Sequence, residues 1–398
     1  MTTLSDRIEN LAESATIAMS QRSRDLKNKG VDVINLSLGE PDFNTPDFIK
    51  EAAKKAIDEN YTHYTPVPGY LEVREAIAQK LRRDNGLSYK PTQIVISTGA
   101  KQSLMNTVLC LVNPGEEVII PAPFWVSYNE MAGYAEGKVV QIKTGFETNF
   151  KITPEQLESA ITANTKLFIF SSPSNPTGGA YSEAELRALG KVFERHPKVH
   201  VVSDEIYEHI RFVGTHFSLA SIPEIHDRVI TVNGVSKAWA MTGWRIGYIA
   251  ASEKIAKACT KIQGQFTSAP SGISQMAAKA AMEADRATVN YMIEAFKERR
   301  LIMIEGMRSI PGLECNEPEG AFYLFPKVSS CFGKSIGDRK IENAEDLAMY
   351  LLEVAHVATV PGSAFGADDY LRLSYAAANP VLVEAISRIK TAIEQLEA

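Results

Sequence analysis

The stretch Thr165-Lys-Leu-Phe-Ile-Phe-Ser-Ser-Pro-Ser-Asn-Pro-Thr-Gly-Gly179 carries the fold in its first half and chemistry in its second. Leu167–Phe170 is an unbroken apolar run with no polar alternation. Such a run is too short for a helix and reads as a strand buried on both faces. Two prolines and two glycines then stop it and stiffen the loop around Asn175. The amide of Asn175 can donate to a ring oxygen or a carboxylate, or the segment is a plain turn. The same pattern recurs on either side. Strands are predicted at Gln93–Ser97, Glu117–Ile120, Lys138–Ile142, Thr165–Phe170, Val199–Ser203, Val229–Asn233 and Ile246–Ala250. Helices fall between them at Ala100–Leu111, Ser127–Ala135, Pro154–Ile161 and Ser182–Arg195. Strands alternating with helices predict an α/β fold with a mostly parallel sheet covered on both faces.

The flanks differ. Residues 1–30 read as a polar arm and a helix, Val31–Leu38 as a strand, and Gly39-Glu-Pro-Asp42 as a turn. Helices follow at Asp47–Glu59 and Leu71–Asn85, separated by the proline-rich loop Tyr61–Gly69. After Ser271 long helices run to about Ile310. A smaller α+β part ends the chain, with strands at Gly320–Phe325, Ala358–Val360 and Tyr370–Tyr375, a helix near Ala344–Glu353 and a final helix. A chain of 398 residues exceeds one ordinary core. The expected division is a large domain at 46–290 and a smaller α+β domain made of 1–45 together with 291–398.

Composition narrows the function. The net charge of −6 argues against a nucleic-acid binder. The four cysteines show no CxxC spacing, so reduced thiols and a cytoplasmic setting are expected. The first thirty residues contain no apolar signal-type segment, and no run is long and apolar enough for a membrane helix. The seven histidines form no HExxH pattern, so no metal site is expected.

In a doubly wound sheet ligands sit at the carboxyl ends of the strands, so those ends are where chemistry is sought. Thr98-Gly-Ala-Lys101 opens a helix, whose free N–H groups suit a phosphate or simply make a turn. Trp125 either stacks on a flat ring or packs in the core. Asp204 follows Val199–Ser203. A carboxylate there needs a cationic or N–H partner, such as a pyridinium nitrogen, unless it merely caps a helix. Tyr207, three residues on, can reach an oxygen of the same ring. Val229–Asn233 leads into Ser236-Lys237, and Arg245 lies between glycines in Gly243-Trp-Arg-Ile-Gly247. A guanidinium fork there suits a phosphate. Each feature has a bland explanation. Their arrival after successive strands favours one site, and a lysine, an acid, a phosphate grip and a stacking ring together suit pyridoxal 5′-phosphate.

At this point the chain resembles the fold-type I, class I pyridoxal-phosphate-dependent aminotransferases, and within them the bacterial aspartate aminotransferase subgroup. The resemblance runs from Leu38-Gly-Glu-Pro-Asp42 to Leu371-Arg-Leu-Ser-Tyr375. Ser172-Pro-Ser-Asn-Pro-Thr-Gly178, Ser203-Asp-Glu-Ile-Tyr207, Ser236-Lys237 and Gly243–Gly247 carry it. It implies that Lys237 holds the cofactor covalently and, once freed by the incoming amino acid, removes the α-proton. It implies that Asp204 meets the ring nitrogen, that Tyr207 and Asn175 bond the ring hydroxyl oxygen, and that Trp125 stacks. Gly99, Ala100, Lys101, Ser236 and Arg245 would surround the phosphate, with Tyr64 arriving from the neighbouring subunit of a homodimer. Arg372 would clamp the substrate α-carboxylate beside Gly39, Trp125 and Asn175. The implied reaction is ping-pong transfer from an L-amino acid to a 2-oxo acid, L-aspartate with 2-oxoglutarate first. Aromatic, alanine-type or prephenate substrates, and a C–S lyase on the same scaffold, stand as alternatives. Dicarboxylate specificity needs a further cation, and no Lys or Arg stands between Lys101 and Lys138.

Overall fold

Strands β1 (Ile94–Thr98), β2 (Glu117–Ala122), β3 (Lys138–Lys143), β4 (Thr165–Ser171), β5 (His200–Asp204), β6 (Val229–Gly234) and β7 (Ile246–Ala250) form one sheet in the order β1-β7-β6-β5-β4-β2-β3. The structure is a computed structural model describing residues 4–397. Neighbours from β3 to β6 are parallel. β7 runs antiparallel to both β6 and β1. Alternate residues of one strand enter different cores. Ile119 and Phe168 pack into one cluster, Ile120 and Leu167 into the other. This explains the unbroken apolar runs: both faces are removed from water, so both must be apolar.

Local chemistry sets the helix ends. Ser182 and Glu185 form a reciprocal capping box at the start of Glu183–Arg195. Gly86, in the left-handed region at φ 67°, closes Leu71–Asn85.

A second, three-stranded sheet joins β8 (Tyr323–Leu324), β9 (Val360–Pro361) and β10 (Leu371–Ser374) in the antiparallel order β9-β10-β8. Several predicted strands are shorter than expected or divided. Of Val31–Leu38 only Ile34–Asn35 pairs, in parallel with Val357–Ala358. The Asn35 side chain then takes both the Ser37 N–H, at 2.9 Å, and its hydroxyl, at 2.7 Å, which turns the chain out of the ladder. Ala358–Val360 is split at Thr359. Val357–Ala358 pairs with the N-terminal segment, and Val360–Pro361 pairs with β10. Gly320–Phe325 contracts to Tyr323–Leu324. Among the described residues no helix is long and apolar enough to cross a membrane.

Candidate active site

The carboxyl ends of β4, β5 and β6 and the amino end of β7 open on one cavity of about 250 Å³. Gly39, Ala100, Lys101, Trp125, Asn175, Asp204, Tyr207, Ser236, Lys237, Arg245 and Arg372 all line it. Residues separated by hundreds of positions in sequence therefore share one chamber.

Lys237 follows β6, and its Nζ donates to the Gly39 carbonyl at 2.6 Å. Burial pushes its ammonium down to about 8. Nearby Arg245 and Arg372 push the same way, and Glu40 opposes them. Asp204 ends β5. Its Oδ2 accepts from the Tyr128 hydroxyl at 2.7 Å and its Oδ1 from the Ile206 N–H at 3.2 Å. The second bond is a local turn rather than a helix cap, because residues 205–208 do not form a helix. Burial raises the Asp204 carboxyl to about 6, while the Tyr128 bond restrains the rise. Tyr207 and Tyr323 share a hydroxyl–hydroxyl bond of 2.7 Å.

Arg372, on β10, is wholly buried. Its guanidinium lies 4.8 Å over the Tyr323 ring and 5.0 Å over Phe365. Nη1 donates to Asn175 Oδ1 at 3.0 Å, and Nη2 to the Ser37 carbonyl. Nε is buried with no partner. That assignment leaves the Asn175 amide free to donate into the cavity.

The glycines matter where backbones crowd. A Cβ at Gly99 would stand 2.3 Å from Arg245 Nη2, and one at Gly247 would stand 2.1 Å from the Ala100 nitrogen. Gly99 has φ +78° and begins the helix Ala100–Leu111. Its free N–H groups and the Arg245 guanidinium thus face the same corner. Arg245 itself has φ 56° and donates to the Thr242 carbonyl at 2.9 Å. A left-handed arginine costs about 1–3 kcal/mol, so its placement is held by the surrounding packing. Lys101 Nζ sits 5.0 Å over the Trp125 ring. Burial and Arg245 both lower its ammonium.

Gly99 adjoins this cavity through Arg245 without lining it, and Tyr64 stands apart from it. Its side chain is fully exposed on the loop after Tyr61. The sequence reading missed several lining residues, Tyr128, Tyr323 and Thr16 among them. Tyr128 lies three residues past Trp125, in the helix Ser127–Tyr134, Tyr323 comes from β8, and Thr16 comes from the helix Ala15–Asn28. Only Tyr128 had a local signal, its i+3 spacing from Trp125.

Glu205, Glu208 and His216 also converge, within 4.8 Å of one another. Glu208 is already paired with the buried Lys80 ammonium and accepts from Asn85 at 2.7 Å and Asn233 at 2.8 Å. Glu205 accepts from Ser203, Ser218 and His216.

A model of the family described as aminotransferase class I and II matches residues 31–389. The chain belongs to that family. An aspartate/prephenate aminotransferase of Cereibacter sphaeroides is 49% identical over 98% of each chain. A bifunctional aspartate aminotransferase and glutamate/aspartate-prephenate aminotransferase of Petunia hybrida is 48% identical over 98% of this chain and 82% of its own. Among solved structures, the aspartate aminotransferase of Rhizobium meliloti superposes with a TM-score of 0.96 at 42% identity, covering all of both chains. That of Thermus thermophilus, solved with maleate, gives 0.93 at 40% identity over 98% of this chain and 100% of its own. This aminotransferase therefore carries its family's fold, and the cavity lies where its sheet gathers its strand ends.

Proposed function

We propose that this aminotransferase uses pyridoxal 5′-phosphate to move the amino group of L-aspartate to 2-oxoglutarate, with Lys237 as the reacting amine. The observation that carries the reading is the electrostatic layout of one chamber. A lysine brought to about 8 lines the same chamber as a buried carboxylate at Asp204 and two arginines, Arg245 and Arg372. The donor set fits the cofactor. The glycine-lined corner of Gly99, Ala100 and Gly247 has no room for a Cβ at either glycine, and Arg245 flanks it, which suits a phosphate. Ser236 and Lys101 border the same corner. Asp204 suits a ring nitrogen, Tyr207 and Asn175 a ring oxygen, and Trp125 a ring face.

When bound, the cofactor supplies an electron sink for the charge left on the substrate Cα. The protein's own part is binding, orientation and proton transfer. Arg372, its guanidinium held over the Tyr323 ring, would meet the α-carboxylate, with Gly39 and Asn175 beside it. Lys237 Nζ holds the cofactor at rest and, as a free amine, carries the Cα proton. Such a group contributes roughly 10²–10⁴-fold when its pKa lies near working pH. Asp204 keeps its negative charge against the ring, which keeps the ring cationic.

The names of the relatives support aspartate, and the maleate complex of the Thermus protein supports a dicarboxylate. Among the described residues the cations lining the cavity are Lys101, Lys237, Arg245 and Arg372. The last three have roles above, and Lys101, besides bordering the phosphate corner, would meet the second carboxylate.

The same reading includes a homodimer, in which exposed Tyr64 reaches the neighbouring cavity. An open hollow of about 810 Å³ lies beside the site and shares Ser14, Lys101, Ser127 and Arg245 with it. It also includes the division into 46–290 and 1–45 with 291–398, supported by the pairing of Ile34–Asn35 with Val357–Ala358. The four free thiols support a cytoplasmic setting.

The test is a half-reaction screen. The loaded protein is mixed with single amino acids and its visible absorbance followed. Aspartate and glutamate should convert it fastest, and Lys237→Ala should not respond at all. Pyruvate formed from a cysteine-like substrate with no 2-oxo acid present would point to the lyase instead.

A further inference from the structure

Tyr128 takes no part in the reading above, yet it makes the shortest contact to Asp204. It sits on the helix Ser127–Tyr134 and is 1% exposed. Its hydroxyl donates to Asp204 Oδ2 at 2.7 Å, while Ile206 N–H serves Oδ1 at 3.2 Å. Each carboxylate oxygen thus has one neutral donor, from two different elements. The other groups facing Asp204 are Lys237 beyond β6, and Glu205 and Tyr207 from its own loop. Lys237 favours the ionised acid and Glu205 disfavours it.

We propose that Tyr128 is a positioning residue that keeps Asp204 ionised and aimed into the cavity, and so sets how tightly the site holds a protonated ring nitrogen. The proposal rests on the reading that Asp204 meets that nitrogen. A phenol suits the task. It donates one hydrogen bond without bringing a charge, and burial beside Asp204 raises its own ionisation far above the working range. A lysine or arginine in its place would compete with the ring for the carboxylate's charge. With no donor on Oδ2, only the Ile206 N–H and Lys237 would oppose the effect of burial on Asp204, which already sits at about 6. Loss of one hydrogen bond to a charged group moves a pKa by roughly one to two units. A substantial share of the acid would then be neutral near neutral pH, and a neutral acid does not pair with a pyridinium.

The test uses full-length protein stripped of cofactor, with pyridoxamine 5′-phosphate as probe. That ligand cannot bond covalently to Lys237, so it reads the pocket alone. Its dissociation constant is measured by equilibrium dialysis for wild type, Tyr128→Phe, Asp204→Asn and the double variant from about pH 6 to about pH 8.5. Taking the ratio of variant to wild type cancels the ligand's own phosphate titration. The expected Tyr128→Phe ratio is about tenfold at the acid end and near one at the alkaline end, where Asp204 is ionised in both proteins. In the Asp204→Asn background the Tyr128→Phe substitution should have no pH-dependent effect. A ratio that is flat with pH, or equal to one throughout, overturns the proposal, because a general packing defect does not titrate with Asp204. If Asp204→Asn alone binds like wild type, the placement of the ring nitrogen falls, and this proposal falls with it. Should Tyr128→Phe not fold, 3-fluorotyrosine placed at position 128 makes the phenol a stronger donor. The inflection should then move to lower pH, and an unmoved inflection overturns the proposal.

Discussion

Arg372 gives the most demanding test of the substrate geometry. The guanidinium is stacked between Tyr323 and Phe365, tethered by Asn175 and the Ser37 carbonyl, and left with a free Nε. Its rotamer is fixed before any substrate arrives, so little entropy is lost on binding. A carboxylate taken by the fork gains two charge-assisted hydrogen bonds of about 1.5–3 kcal/mol each. Arg372→Lys keeps the charge and the apolar stem but offers only a point donor. It should lose about one such bond, or roughly 10- to 150-fold in kcat/KM. Arg372→Ala loses both and should fall by roughly 10²- to 10⁴-fold. The assay is single-turnover conversion of the loaded enzyme with aspartate, alanine and phenylalanine, each of which carries the same α-carboxylate. The fractional loss should match across the three. A lysine variant within threefold of wild type would refute the bidentate clamp. A loss confined to aspartate would show that Arg372 reads the side chain. Thermal melting of both variants separates these outcomes from simple misfolding.

Two further expectations concern protons. Capture of free cofactor by the stripped protein needs the neutral Lys237 amine. The rate should rise with pH around a midpoint of about 8, below the ordinary lysine value of 10.5. A midpoint near the ordinary value would show that Lys237 is solvated in the working protein. Lys80 and Glu208 form a buried pair, and Lys80→Met should cost about 3–5 kcal/mol in urea unfolding at neutral pH, because it strands a buried carboxylate. The Lys80 ammonium, together with His209 and the Asn85 hydrogen bond, holds the Glu208 carboxyl well below the ordinary 4.5, against the desolvation of its burial. A depressed acid stabilises the fold above its unfolded value and loses that contribution as pH falls through the folded one. The deficit of the variant should therefore shrink below about pH 4.5, and a deficit constant across that range would refute the pairing argument.

Legibility of the site followed sequence distance. Asn175, Asp204 and Lys237 stand at or just after strand ends, so the run of apolar residues announces each one. Arg372 was named by resemblance, not by any pattern in its own strand. Tyr128 and Tyr323 carry no motif, because a phenol in a sheet or helix is usually core. Their role exists only as a hydroxyl aimed at Asp204 or Tyr207. The short strands of the smaller sheet were blurred for a similar reason. Two-residue pairings such as Val357–Ala358 depend on partners far away in the chain and have no period to detect.

The reversal of β7 shows how one unread feature builds the site. The sequence predicted both strands flanking residues 235–245 but not their relative direction. Parallel neighbours need a crossover of a dozen or more residues, usually a helix, and this connection contains only turns and a single 3₁₀ turn at Thr242–Trp244. β7 must therefore run back antiparallel. It inserts between β6 and β1, pairing Gly247 with Gly234 on one side and Ile246 with Thr98 on the other. That register sets Arg245, just before β7, beside Gly99, just after β1. Were β7 parallel, Arg245 would emerge at the opposite edge of the sheet, a strand length from the helix Ala100–Leu111. The close approach also explains the glycines. Gly247 stands where a Cβ would strike the Ala100 backbone, and Gly99 where one would strike the arginine itself. The corner proposed for the phosphate is thus made by a chain reversal, a register and two missing side chains acting together. None of these is an anion-binding motif in sequence, which is why Thr98-Gly-Ala-Lys101 looked like an ordinary turn.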